Sequence, residues 1–270
     1  MPYAIRWTHR LSFEALGRED APPVLLVMGM GFSARAWGSL PERLSRDFRV
    51  VVFDNRGAGG STAPPRPFGM DDLADDAAAV LDAARVGRAS VFGISMGGMI
   101  ALALALRHPE RVGALVLGAT FAGWLGSRKA SPAVMGDLVA GGVLSRMGSH
   151  RLVGRALVSP GALRADYERF AAWMGNVERV APHVVARQAV AVARFDVSGQ
   201  LGKIAVPTLV LTGDADRIVP VENSRRLAES IPGARLVTFP GAGHGFPFER
   251  FEETADAVTG FFRETGSPAP

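Results

Sequence analysis

The stretch Gly93-Ile94-Ser95-Met96-Gly97 narrows most what this chain can become. An apolar run at 89–92 leads into it, and an Ala/Leu-rich segment at 99–106, free of proline, leads out. This pattern predicts a buried strand, a very tight turn and a helix. A serine on so sharp a strand-to-helix turn is forced into a strained backbone conformation. Only residues with almost no side chain fit beside it, which accounts for Gly93 and Gly97. The turn lifts the serine oxygen clear of the sheet and aims the first N–H groups of the helix at the space above, where developing negative charge would be stabilised. Ser95 is therefore a candidate nucleophile. Gly98 adds a second small residue for close helix-to-sheet packing.

The rest of the chain supplies the sheet that such a turn requires. Val24-Leu25-Leu26-Val27-Met28 is a continuous apolar run, as expected for a parallel strand buried on both faces. Further strands are expected at 49–53, 112–117, 206–211 and 234–239, and an edge hairpin at 3–15. Helices are expected at 36–44, 71–84, 221–230 and 248–262, and the tail 264–270 is expected to be disordered. Between 121 and 200 strands vanish, and helices broken by Gly and Pro take over, including 149–158, 161–180 and 183–195. The expected fold is α/β, a mostly parallel central sheet flanked by helices. Residues 1–120 and 201–270 would form the core. Residues 121–200 would form a helical cap inserted after the sixth strand, over the strand ends where open parallel sheets bind ligands.

A nucleophilic serine needs a base and an acid. Five histidines compete, and His244 stands out in Pro240-Gly241-Ala242-Gly243-His244-Gly245, directly after the last expected strand. Its flanking glycines let the backbone present the imidazole freely. The strand at 206–211 runs into Thr212-Gly213-Asp214-Ala215-Asp216, offering two carboxylates. Asp216 lies further into the loop and is the candidate acid, which would orient the imidazole and stabilise its positive form. Asp214 is expected to stabilise the turn. The alternative place for an acid, after the preceding strand, holds Gly118, Ala119 and Thr120 and offers no carboxylate. Ser95, Asp216 and His244 thus follow three expected strands in the order Ser, Asp, His. The glycine-rich Asp54-Asn55-Arg56-Gly57-Ala58-Gly59-Gly60-Ser61 matches neither phosphate-loop pattern and reads as a structural turn.

Composition removes other classes. The 270 residues contain no cysteine, which excludes disulfides, thiolate metal sites and a cysteine nucleophile. No metal-ligand spacing is visible and no cofactor is implied. The net charge is only +4, with no basic run interleaved with aromatics, so no nucleic-acid partner is expected. The uncharged run at 112–126 is too short for a bilayer, which needs about 20 apolar residues. Residues 1–17 lack the apolar core of a secretory signal. A cytoplasmic protein without membrane association is expected, its oligomeric state open.

Taken together, several motifs resemble the α/β-hydrolase superfamily over residues 24–262: Gly29-Met30-Gly31, the Asp54 to Ser61 turn, Gly93 to Gly98, Arg107-His108-Pro109-Glu110-Arg111-Val112, Gly213-Asp214-Ala215-Asp216 and Gly243-His244. The likeness is to small esterases, lactonases and cofactor-free haloperoxidases, including 3-oxoadipate enol-lactonases. It implies a carboxylic ester hydrolase acting on a small-molecule ester or lactone through an acyl-enzyme. Ser95, Asp216 and His244 would be its triad, and the backbone N–H groups of Met30 and Met96 its oxyanion hole. Members usually carry His-Gly where this sequence has Met28-Gly29, so the hydrogen bond by which that histidine would hold the loop is missing. Epoxide hydrolases and haloalkane dehalogenases have Asp at the Ser95 position. Perhydrolase-type members tend to have Pro where Gly31 stands, which weakens that reading. Haloperoxidase or perhydrolase chemistry on the same triad remains an alternative, as does a ligand-binding protein of this fold.

Substrate choice would rest with the cap. Residues 121–200 hold ten basic residues against five acids, so the excess positive charge of the chain sits there. A cleft-facing arginine could recognise a substrate carboxylate, whereas arginines on solvated helix faces are the plainer reading. Trp124 and Trp173, with Phe170 and Phe195, could line an apolar pocket or pack the cap core.

Overall fold

The apolar runs become the centre of one twisted sheet. The structure, a computed structural model, describes residues 2–145, 147–178 and 180–266. In chain order these form β1 (Tyr3–Arg6), β2 (His9–Leu16), β3 (Pro23–Val27), α1 (Leu40–Leu44), β4 (Arg49–Phe53), α2 (Met70–Ala83), β5 (Ala89–Ile94), α3 (Met96–Arg107) and β6 (Val112–Gly118). Five helices follow: α4 (Pro132–Ser145), α5 (Arg151–Leu157), α6 (Pro160–Ala165), α7 (Tyr167–Asn176) and α8 (Pro182–Arg194). The alternation then resumes with β7 (Thr208–Gly213), α9 (Val221–Ser230), β8 (Arg235–Phe239), α10 (Phe246–Glu249) and α11 (Phe251–Glu264).

Among the described residues the strands form one eight-stranded sheet in the order β1-β2-β4-β3-β5-β6-β7-β8. The β1–β2 and β2–β4 pairs are antiparallel and every other pair is parallel. Strands β3, β5 and β7 are buried along their whole length, as their unbroken apolar runs require. One face packs on α2 and α3, the other on α1 and α11. Helix α3 is buried from Met96 to Ala105, which explains why its sequence is apolar all round. From β3 the chain steps outward to β4, then crosses back to β5 on the other side. The loops after β3 and β5 therefore diverge and open a crevice at the strand ends, the position where such sheets take ligands.

The Asp54 to Ser61 turn is structural, as its sequence suggests. Asp54 accepts the N–H groups of Ala34 (2.7 Å) and Gly60 (2.9 Å), and Arg56 is driven fully inside. There Arg56 meets Asp76 of α2 through Nε (2.7 Å) and a terminal nitrogen (2.8 Å); Arg6 and His9 reach the same carboxylate at 3.0 and 3.1 Å. This buried ion cluster ties the turn to α2 and the edge hairpin.

Several boundaries differ from the sequence expectation. The helix expected at 36–44 is a short turn at Ala34–Trp37 and then α1, because Gly38 takes φ 58° between them. The helix expected at 161–180 is α6 and α7, parted at Asp166, whose carboxylate caps α7 by accepting the Arg169 N–H at 2.8 Å. The closing helix is likewise two pieces, α10 and α11, broken at Arg250. Helix α4, with Gly136, Gly141 and Gly142 and no polar face, lies within the helical region expected at 121–200 but has no signature in the sequence that sets its bounds. Glu264, assigned to a disordered tail, ends α11; residues 267–270 lie outside the described part.

Candidate active site

Ser95 sits at φ 56°, ψ −122°, a conformation costly for a residue with a side chain. Its surroundings hold it there. A Cβ on Gly93 would collide with the carbonyl of Gly97, and one on Gly97 with the carbonyl of Val27, so both positions must be glycine. The Ser95 N–H donates to the Gly118 carbonyl at 2.8 Å, and the Thr120 hydroxyl donates to the Ser95 carbonyl at 2.7 Å. Thr120, which the sequence marked only as lacking a carboxylate, thus pins the turn from β6.

The β7 and β8 loops bring the acid and base together. Asp216 and His244 are both buried, with His244 Nδ1 at 2.8 Å from Asp216 Oδ2. The other carboxylate oxygen accepts the N–H groups of Ile218 and Val219, each at 2.8 Å. Those bonds fix the carboxylate without neutralising it. Asp214 does stabilise the turn, accepting the Gly241 N–H at 2.6 Å and so locking one loop to the other. Glu249 of α10 was not foreseen. Its Oε1 accepts from Gly243 (2.8 Å) and from Ser159 (3.1 Å), clamping the histidine loop to the start of α6.

The loop after β3 is held by three side chains. Asn55 donates to the Met28 carbonyl at 2.7 Å, Asp54 accepts from Ala34, and Gln188 of α8 accepts the Gly31 N–H at 2.9 Å. Burial pushes the Asp54 carboxyl above the usual range, although its two backbone donors favour the ionised form. Met30 lines the cavity beside Ser95. Met96 is buried at the start of α3, where its N–H has no acceptor within the helix.

Ser95 and His244 line the same cavity, of about 430 Å³. Phe32 and Trp37 come from the loop after β3, while Leu138, Leu157 and Trp173 come from α4, α5 and α7. Trp173 earns its place: its indole N–H donates to the Ala36 carbonyl at 3.1 Å and its ring lies 5.1 Å from that of Phe248. Trp124 does not. It packs 6.1 Å from Phe121 with Lys129 over its ring, against the α2/α3 face of the core, because its segment is tied to the stretch after α8: the Trp124 N–H donates to the Phe195 carbonyl at 3.1 Å, and Gly123 bridges Asp196. Phe170 is buried behind Trp173, and Phe195 belongs to the same core as Trp124.

Of the ten basic residues expected in the cap, Arg169 is the one lining the cavity among the described residues; Arg146 and Arg179 lie outside them. Its guanidinium donates to the Phe248 carbonyl at 3.1 Å and lies over the Phe248 ring. Among the described residues there is no cluster suited to a metal and no helix long and apolar enough to cross a membrane.

Residues 22–151 match the family model described as alpha/beta hydrolase fold, and residues 185–270 the one described as TAP-like protein. A Caulobacter sp. (strain K31) protein named "Putative carbamate hydrolase RutD" is 32% identical over 251 residues, spanning 90% of this chain and 91% of its own. The chain belongs to the α/β-hydrolase family. Among solved structures, this α/β hydrolase superimposes on an enol-lactonase from Burkholderia xenovorans LB400 with a TM-score of 0.84 at 26% identity, covering 97% of this chain and 100% of that one. A thermophilic esterase from Thermogutta terrifontis gives a TM-score of 0.81 at 30% identity, covering 97% of each chain. The family and these relatives make the protein a hydrolase.

Proposed function

We propose that this α/β hydrolase is a serine esterase or lactonase working through an acyl-enzyme. His244 takes the proton from Ser95 as the hydroxyl attacks the acyl carbon, while the N–H groups of Met30 and Met96 hold the tetrahedral oxyanion. His244 then protonates the leaving alcohol, and water repeats the cycle to release the acid. The observation that carries this reading is a buried Asp216–His244 pair whose imidazole lines the same cavity as the strained Ser95. The relatives' names support an acyl or carbamoyl carbon as the target.

Helices α4 to α8 serve as the cap, and their share of the wall sets the substrate. That share is Leu138, Leu157 and Trp173 with Arg169 and Asn176, and the arginine is already engaged with Phe248. That supports a neutral substrate with an apolar acyl group. A panel of p-nitrophenyl esters and simple lactones tests the proposal, with Ser95→Ala expected to lower kcat by at least about 10⁴-fold without loss of fold. Turnover that survives Ser95→Ala, or halide oxidation by peroxide in place of ester cleavage, would refute it; no turnover by the native protein would favour a binding role. An acid-bearing ester should be cleaved no better than its neutral analogue. A preference for the anion that Arg169→Gln removes would overturn the neutral-substrate reading.

A further inference from the structure

We propose that Gln188 is a positioning residue for the oxyanion hole, reaching from the helical insertion into the loop after β3. The proposal rests on the serine-hydrolase reading and deepens it. Gly31 takes φ 79°, and Gly29 precedes it by two residues, so this stretch has little intrinsic preference for one path. Its ends are held by the core: Asn55 takes the Met28 carbonyl and Asp54 takes the Ala34 N–H. Its middle is held from elsewhere, by the Gln188 carbonyl oxygen on the Gly31 N–H at 2.9 Å. Peptide units are planar, so fixing that N–H fixes the whole Met30–Gly31 unit and leaves the Met30 N–H only Met30's own torsions away from a fixed plane.

Gln188 is fully buried and rigidly mounted. On the same helix, Val184 is buried against Ala58, and Ala191 is buried in the main core. Its Nε2 is buried as well, without a hydrogen-bond partner among the described residues. A leucine or methionine would fill such a place without leaving a donor unsatisfied, so ease of packing does not account for an amide here. What the amide adds is one acceptor, and that acceptor meets the loop Met30 belongs to. A residue from the insertion thus does part of the work of holding the loop.

The test compares Gln188→Met, which keeps the volume and removes the acceptor, with Gln188→Glu, which keeps an acceptor whether or not it is ionised. Gln188→Met should lower kcat about tenfold with KM within about twofold, a fraction of the 10²–10³-fold seen when an oxyanion donor is deleted outright. Gln188→Glu should recover kcat to within about threefold of the native protein. A boronic acid that mimics the tetrahedral state should lose affinity for Gln188→Met in step with kcat/KM, while the product acid binds as before. Should the methionine variant fail to fold, Gln188→Asn, one methylene too short, carries the same expectation. Unchanged kcat in whichever of the methionine and asparagine variants folds, or a loss falling wholly on KM, or one that glutamate does not relieve, overturns the proposal. Ser95→Ala, measured in parallel, reports separately on the serine mechanism.

Discussion

Two buried aspartates in this molecule each touch a histidine, and their surroundings are opposite. Asp216 holds His244 Nδ1 at 2.8 Å; Asp76 meets His9 Nε2 at 3.1 Å. Among the described residues the first carboxylate otherwise receives only backbone N–H groups, and no guanidinium. The second is already matched by Arg56 and Arg6. The rings differ too. His244 lines the cavity with Ser95, whereas the remaining nitrogen of His9 is buried without a partner among the described residues. An Asp–His contact becomes chemistry only when the carboxylate has no other cation and the far nitrogen has somewhere to send a proton. Otherwise it is masonry.

The sharpest way to break this contrast is to neutralise each carboxylate. Asp216→Asn should reduce kcat by about 10⁴-fold, as losing the orienting acid of a triad does, with the melting temperature little changed. Asp76→Asn should do the reverse, costing about 3–5 kcal/mol of stability by stranding buried arginines, with kcat/KM per folded molecule unaltered. Denaturant titrations beside steady-state kinetics separate the two. If Asp76→Asn abolished turnover in fully folded protein, the division would fail.

On stability the imidazoles should matter less than Asp76 does. His9→Phe should cost about 1–3 kcal/mol by removing one donor from Asp76, and leave ester cleavage intact. His244→Phe should leave stability nearly unchanged and remove turnover.

Asp54 gives the smallest effect and a third case, a buried carboxylate with backbone donors and, among the described residues, no bonded cation. Burial raises its pKa in the native state, so on acidification the folded protein takes up this proton before the unfolded chain does. The native protein should therefore gain stability relative to Asp54→Asn as pH falls through the raised value towards the ordinary one, and lose that advantage as pH rises. Thermal melts across the acid range check the sign, and a flat difference would remove Asp54 from the comparison.

Most of the sheet was legible because each buried parallel strand needs an unbroken apolar run, and the elbow because two glycines admit no alternative. The Ser, Asp, His order was legible for the same reason: each follows such a run. The insertion was not. Helix α4 has no polar face to betray it, and Asp166 ends one helix while capping the next in the middle of a pattern that looks continuous. Trp124 and Trp173 carry the same signal in sequence, and only the pairing of the Trp124 segment with the stretch after α8 puts one on the core while α7 puts the other in the cavity. Gln188 and Glu249 left no trace at all, because a polar residue that accepts a backbone N–H across the fold has no local spacing.

The stitch made by Glu249 has a practical meaning for anyone wishing to change what this hydrolase accepts. Because one carboxylate oxygen holds both the backbone beside His244 and the entrance to α6, the lining segment is not an interchangeable part. A transplanted insertion from another hydrolase would need its own N–H where Ser159 now offers one, or the imidazole would drift as the price of the new pocket.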